Sequence, residues 1–188
     1  MEKRRLTTYQ LALTALMTAF LCILGPWTIV VPVSPVPVSL ASLAVSLTVV
    51  ILGQKAGTLS CLLYLLIGIL GVPVFSGFGA GVGKLLGPTG GYLNGYLLLA
   101  WIAGFFADRF AGNRLKERLG LAVGLILGTL LLYGVGTLWL GYVAQLNFSA
   151  ALAAGVLPFL PGDFIKLVLA LILGPQIRHR LSRAGLLR

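Results

Sequence analysis

The sequence predicts an all-α integral membrane protein: six transmembrane helices, both termini cytoplasmic, forming a single membrane domain over residues 1–188. Three observations lead there. Hydrophobic residues make up 59% of the chain and charged residues only 10%, against roughly 25% charged in soluble domains. Mean hydropathy is +1.03, so too little polar surface remains to face water on every side. Basic residues gather in alternate connections between apolar segments, the pattern of a multi-pass protein in a bacterial cell (inner) membrane. The net charge of +10 therefore does not point to nucleic acid, whose binding needs basic residues collected on one solvated face.

Apolar runs separated by Gly, Pro or charge set the helices at about Thr7–Leu24, Val38–Leu52, Gly57–Leu70, Leu93–Ala107, Gly120–Tyr142 and Phe164–Ile177. Several are shorter than the ~20 residues of a straight span. The N-terminal Lys3-Arg4-Arg5 precedes an apolar run without a small-x-small cleavage site, so it reads as a retained first helix with its start inside. Alternation then puts Lys55, the segment 108–119 and the C-terminal tail from Arg178 to Arg188 on that same side. Twelve of the fourteen basic residues follow the rule; Lys84 and Lys166 fall outside.

Three external segments result. The first, Val31-Pro32-Val33-Ser34-Pro35-Val36-Pro37, is expected to be stiff and extended, because proline fixes φ and removes a donor. The second, from Val72 to Gly91, is glycine-rich and carries Phe75 and Phe78, which favour a folded lid over a loose loop. Its glycines are not a phosphate cradle. A dinucleotide fingerprint from Gly77 and Gly79 would need glycine where Val82 stands. A P-loop ending at Gly83-Lys84 would need glycine at Phe78 and Ser or Thr at Leu85. The third, about Val143 to Gly162, reads as a short connection containing Pro158 and Pro161.

Of four acidic residues, Glu2, Asp108 and Glu117 lie in the tail or the basic segment; Asp163 alone opens an apolar helix, with Lys166 three residues on. Ionisable groups at membrane depth are costly and usually mark function. Spacing alone admits two readings: a ligand site, or an aspartate at a helix start with a lysine that snorkels or pairs at i,i+3. Cys22 and Cys61 sit in apolar runs and read as packing residues. His179 lies in the basic tail without an evident partner ligand. An intramembrane enzyme would need an activated nucleophile or a metal centre, and no intramembrane histidine or second membrane carboxylate provides one. No enzyme activity, cofactor or metal is expected.

Four stretches carry a family resemblance: Pro35-Val36-Pro37-Val38-Ser39-Leu40, Gly68-Ile69-Leu70-Gly71-Val72-Pro73-Val74-Phe75, Gly87-Pro88-Thr89-Gly90-Gly91-Tyr92-Leu93 and Pro161-Gly162-Asp163-Phe164-Ile165-Lys166. In this order, across nearly the whole chain, they resemble the BioY family, the biotin-binding S-components of energy-coupling factor (ECF) transporters. The resemblance implies a high-affinity capture subunit that binds biotin from outside, without an ATPase of its own. It implies as partners the transmembrane coupling subunit EcfT and two cytoplasmic ABC ATPases, and a motion in which the whole S-component topples in the bilayer. It implies Asp163 as acceptor for the ureido nitrogens and Lys166 as cation for the carboxylate. Lys84 is implied as a second cation, with Tyr92, Gly79, Ser76 and Ser39 nearby. Small residues Ala15 and Ala19, one turn apart, look like the coupling-subunit contact; internal packing is the competing reading. Some relatives place Asn near Gly79 and Arg where this chain has Leu93. The alternative function is an S-component for another vitamin, such as thiamine or riboflavin.

Overall fold

The computed structural model describes residues 7–30, 32, 34–112 and 114–187, so Glu2, Lys3, Arg4, Arg5, Val31, Val33 and Arg188 lie outside the described residues. Six longer helices correspond to the six expected ones: α1 (Thr8–Leu24), α2 (Ala41–Leu52), α3 (Gln54–Ile69), α5 (Gly90–Arg109), α6 (Arg114–Val143) and α8 (Leu160–Arg183). Two short helices, α4 (Val82–Leu86) and α7 (Phe148–Gly155), one 3-10 turn at Ser76–Phe78 and a two-stranded hairpin of β1 (Thr28–Ile29) and β2 (Val38–Ser39) complete the described elements. By length and composition, α5, α6 and α8 are able to cross a membrane, while α1, α2 and α3 are shorter apolar helices. At 1.5 Å per residue, α6 is about 45 Å long, enough to reach through a bilayer and beyond its hydrocarbon core.

Helix α2 forms the centre. Ala44, Val45, Val49 and Val50 are fully buried, and every residue of the helix is buried or half-buried, as suits an element enclosed by α1, α3, α5 and α8. Helix α1 meets α3 through small hydroxyls: Ser60 Oγ donates to Thr14 O at 3.0 Å, and Thr18 Oγ1 donates within its own helix to Thr14 O at 2.8 Å. Such pairs let helices approach where lipid offers no hydrophobic drive.

Several boundaries move. Helix α2 starts at Ala41 because Val38 and Ser39 are taken into the hairpin, and Ser39 Oγ accepts from Ala41 N at 3.0 Å. Gly53 alone separates α2 from α3; its φ of +81° is a left-handed turn that only glycine enters cheaply. Gln54 and Lys55 therefore open α3 rather than occupy a loop. Helix α8 continues to Arg183, so Arg178, His179 and Arg180 stand on its last turns and not in a tail. The third external segment contains α7, an alanine-rich helix capped by Asn147, whose Oδ1 accepts from Ala150 N at 2.8 Å.

Asp108 and Glu117 are not loop decoration either. Asp108, in the last turn of α5, accepts from Gln54 N at 2.9 Å and pairs with Arg178 Nη2 at 2.6 Å; Arg178 Nη1 also donates to Val50 O at 3.1 Å. One carboxylate thus ties the α2–α3 turn to α5 and α8. Asp108→Ala removes an anion from the start of α3 and a half-exposed ion pair, together about 1–2 kcal/mol of stability. Thermal unfolding in detergent should show that loss, with Asp108→Asn losing less because it still accepts from Gln54 N.

Candidate functional site

The glycine-rich segment folds as expected of a lid. Phe75 and Gly79 form an antiparallel bridge around a tight turn, with Gly77 N donating to Pro26 O at 3.0 Å. Phe75 is fully buried, edge-on to Tyr64 at 5.6 Å and pressed onto Gly68, where any side chain would collide with its ring. Phe78 is 63% exposed and edge-on to Trp27, so the two phenylalanines do different things: one anchors, the other covers.

Asp163 and Lys166 line a cavity next to the one that Ser76 borders. Helix α8 can start at Leu160 because Pro161 fits its first turn, whose fourth residue, Asp163, meets the positive end of the helix. Lys166 follows on the same face and is buried between α8 and α2. Its Nζ donates to Asp163 Oδ1 at 2.8 Å, Ser39 O at 2.7 Å and Ser42 Oγ at 3.0 Å, which engages all three ammonium donors. On the other carboxylate oxygen, Tyr133 OH of α6 donates to Asp163 Oδ2 at 2.5 Å. The side chains of Lys166 and Asp163 are only 11% and 18% exposed.

Both readings of the pair hold at once in this geometry. The i,i+3 ion pair exists, and it also lines a cavity of about 340 Å³ of atom-free space, partly open to solvent, between Pro37, Tyr92, Tyr96, Tyr133 and Phe159. A second cavity shares Ser39, Tyr92 and Tyr96 with the first and runs toward Ser76 and Thr89 under the lid. A third shares Asp163 and Lys166 and runs inward to Ser46 and Thr129. The arrangement is an aromatic-walled cleft with a compact charged end.

Asp163, Lys166, Ser39, Tyr92 and Ser76 are thus brought together. Tyr92 contributes its ring, because its hydroxyl is committed to Gly155 O at 2.8 Å. Gly79 and Lys84 do not line these cavities. The Lys84 side chain lies across Gly79, and its carbonyl accepts from Thr89 Oγ1 at 3.2 Å, which sets it beside the lid-end cavity. Sequence reasoning missed Ser42, Tyr96 and Tyr133. Ser42 lies three residues after Ser39, a spacing that signals a shared face; Tyr133 is a lone tyrosine after three leucines, the one available hint.

The acid and the base stand 2.8 Å apart, where the expectation from the resemblance assigns Asp163 to the ureido nitrogens and Lys166 to the carboxylate. Together they present an acceptor and a donor side by side. Elsewhere, Ala15 and Ala19 are exposed on α1, on a different face from buried Thr14 and Thr18, so internal packing does not account for them. Among the described residues no group of three or more His, Cys, Asp or Glu is placed to hold a metal ion.

The BioY family model matches residues 1–183. The biotin transporter BioY2 of Lactococcus lactis is 35% identical over 177 residues, covering 94% of either chain. The biotin transporter BioY of Thermotoga maritima is 36% identical over 169 residues, covering 90% of this chain and 95% of its own. Among solved structures, the S-component for biotin from an ECF-type ABC transporter superposes with a TM-score of 0.81 at 31% identity, over 90% of both chains.

Proposed function

This chain belongs to the BioY family, and from that premise we propose how it works: as the biotin-binding S-component of an ECF-type transporter, it captures biotin through the Asp163–Lys166 cluster. It is a transport subunit and not an enzyme. The observation that carries the site is the direct contact of Asp163 and Lys166 inside an aromatic-walled cleft.

Biotin has a ureido ring at one end, an apolar thiophane and valeryl chain between, and a carboxylate at the other. A ureido group presents N–H donors and a carbonyl acceptor side by side. Asp163 keeps a lone pair free beyond those used by Lys166, Tyr133 and Ser42, and accepts a ureido N–H. Lys166 turns one donor from Ser42 or Ser39 to the ureido carbonyl, and Ser42 Oγ follows it. Tyr92, Tyr96 and Phe159 flank the apolar rings. The carboxylate then points along the cavity toward Ser76, Thr89 and Lys84, the other lysine at this end of the bundle. Gly79 leaves room for the Lys84 side chain to swing over it.

The energising partners in this reading are the coupling subunit EcfT and two cytoplasmic ATPases, within a bacterial inner membrane. EcfT meets α1 at the exposed Ala15 and Ala19, where small side chains let a second helix approach closely. A thiamine site is disfavoured by the same cations, since thiamine carries a positive ring.

Equilibrium titration of the purified chain with biotin, thiamine and riboflavin tests the substrate. Tight binding of biotin alone is expected, and tight binding of either other vitamin without biotin would overturn the assignment. In the same assay Asp163→Asn weakens biotin by about tenfold or more, the loss of one charge-assisted acceptor worth roughly 1.5–3 kcal/mol. Unchanged affinity in the folded variant would remove Asp163 from the site.

A further inference from the structure

At the other end of α8, between its last turns and the start of α6, a separate polar groove, open to solvent, spans about 990 Å³ of atom-free space. Arg118 of α6 and Arg180 and Arg183 of α8 border it, with Gln176 beside them. None of these three guanidiniums makes an ion pair or hydrogen bond among the described residues, in contrast to Arg178, which is held by Asp108 and Val50 O. The one acid on the wall, Glu117, is buried and engaged by His179, with Nε2 3.0 Å from Oε2. Three exposed, unengaged arginines therefore converge on one groove.

The groove is also ordered along α8. Ile172, 50% exposed, and Pro175 border it toward the middle of the helix, while Arg180 and Arg183 border it toward the end. Apolar at membrane depth and cationic at the helix end is the polarity of a phospholipid, acyl chain to phosphate. Guanidinium forks match phosphate oxygens in geometry as well as charge. The apolar end of the groove, at Ile172 and Pro175, has no use for a bare phosphate.

We infer that this groove binds the phosphate headgroup of an anionic phospholipid, with Arg118, Arg180 and Arg183 on the phosphate and the acyl chain against Ile172. The site is separate from the biotin cleft and does not depend on its assignment.

The test is native mass spectrometry of the full chain from neutral detergent, titrated with phosphatidylglycerol, with phosphatidylcholine of identical acyl chains, and separately with inorganic phosphate. Phosphatidylglycerol should be retained in preference to phosphatidylcholine. Arg180→Gln/Arg183→Gln should weaken it by about twenty- to thirtyfold, each arginine beside an anionic headgroup counting roughly fivefold. Lys55→Gln/Arg109→Gln removes the same charge elsewhere and should leave retention unchanged. Equal loss in both double variants would reduce the effect to net charge and overturn the site, as would equal retention of the two lipids. Inorganic phosphate held at the arginines without competition from phosphatidylglycerol would assign the groove to a soluble anion and overturn the lipid.

Discussion

Lys166→Met lowers biotin affinity by about a hundredfold or more, roughly 3 kcal/mol, and is the most damaging single change expected at the site. Two losses combine. The ureido carbonyl loses its charged donor, and Asp163 is left as a carboxylate only 18% exposed with Tyr133 and Ser42 as its remaining partners. Removing one member of a buried pair typically costs about 3–5 kcal/mol, because the other charge stays behind uncompensated. Instability of the variant would confuse the result, so the double variant Asp163→Asn/Lys166→Met belongs beside it. Neutralising both members should restore much of the thermal stability and none of the affinity. Titration of biotin into both variants reads this out; a Lys166→Met protein within threefold of the wild type would contradict the proposed role.

Ala15→Trp with Ala19→Trp abolishes uptake while leaving biotin binding as it was. Both positions are exposed on α1, whose buried contacts to α3 run through Thr14, Thr18 and Ser60. Both positions face away from the α1–α3 contact, so fold and cleft should be retained. Against a partner helix the same indoles hold two backbones apart, and a contact built on small residues loses most of its packing. Uptake by cells carrying the whole transporter should fall by more than about tenfold, with co-purification of the coupling subunit lost in parallel. Normal uptake by the variant would move the coupling surface elsewhere on the molecule.

What the sequence made legible followed from scarcity and periodicity. One carboxylate and one lysine in an apolar segment stand out because membrane helices exclude such groups, and the structure places Asp163 and Lys166 in a cleft together. The six longer helices were legible for the same reason, since apolar runs end where Gly, Pro or charge appears. The rest was hidden by features that leave no local signature. Helix α7 is eight residues of mostly small side chains and reads as loop. Arg178 and His179 read as tail because charge usually closes a span, yet they are paired to Asp108 and Glu117 and the helix runs on. Tyr133 stood out only as a lone tyrosine after leucines: its role exists because α6 crosses beside the first turn of α8. Spacing at i,i+3 could say that Asp163 and Lys166 share a face, but not that Ser39, Ser42 and Tyr133 would draw them into one hydrogen-bonded group.

That group makes the central claim specific: Asp163 and Lys166 hold the ureido end of biotin and leave the carboxylate to the lid. The most direct measurement is a cycle that pairs wild type and Lys166→Met with biotin and biotin methyl ester. The ester keeps the ureido ring and removes the negative charge. If Lys166 acts on the ureido ring, its loss weakens biotin and the ester by the same factor, to within about twofold. If the ester is nearly indifferent to the substitution while biotin is not, Lys166 binds the carboxylate, and biotin lies in the cleft the other way round.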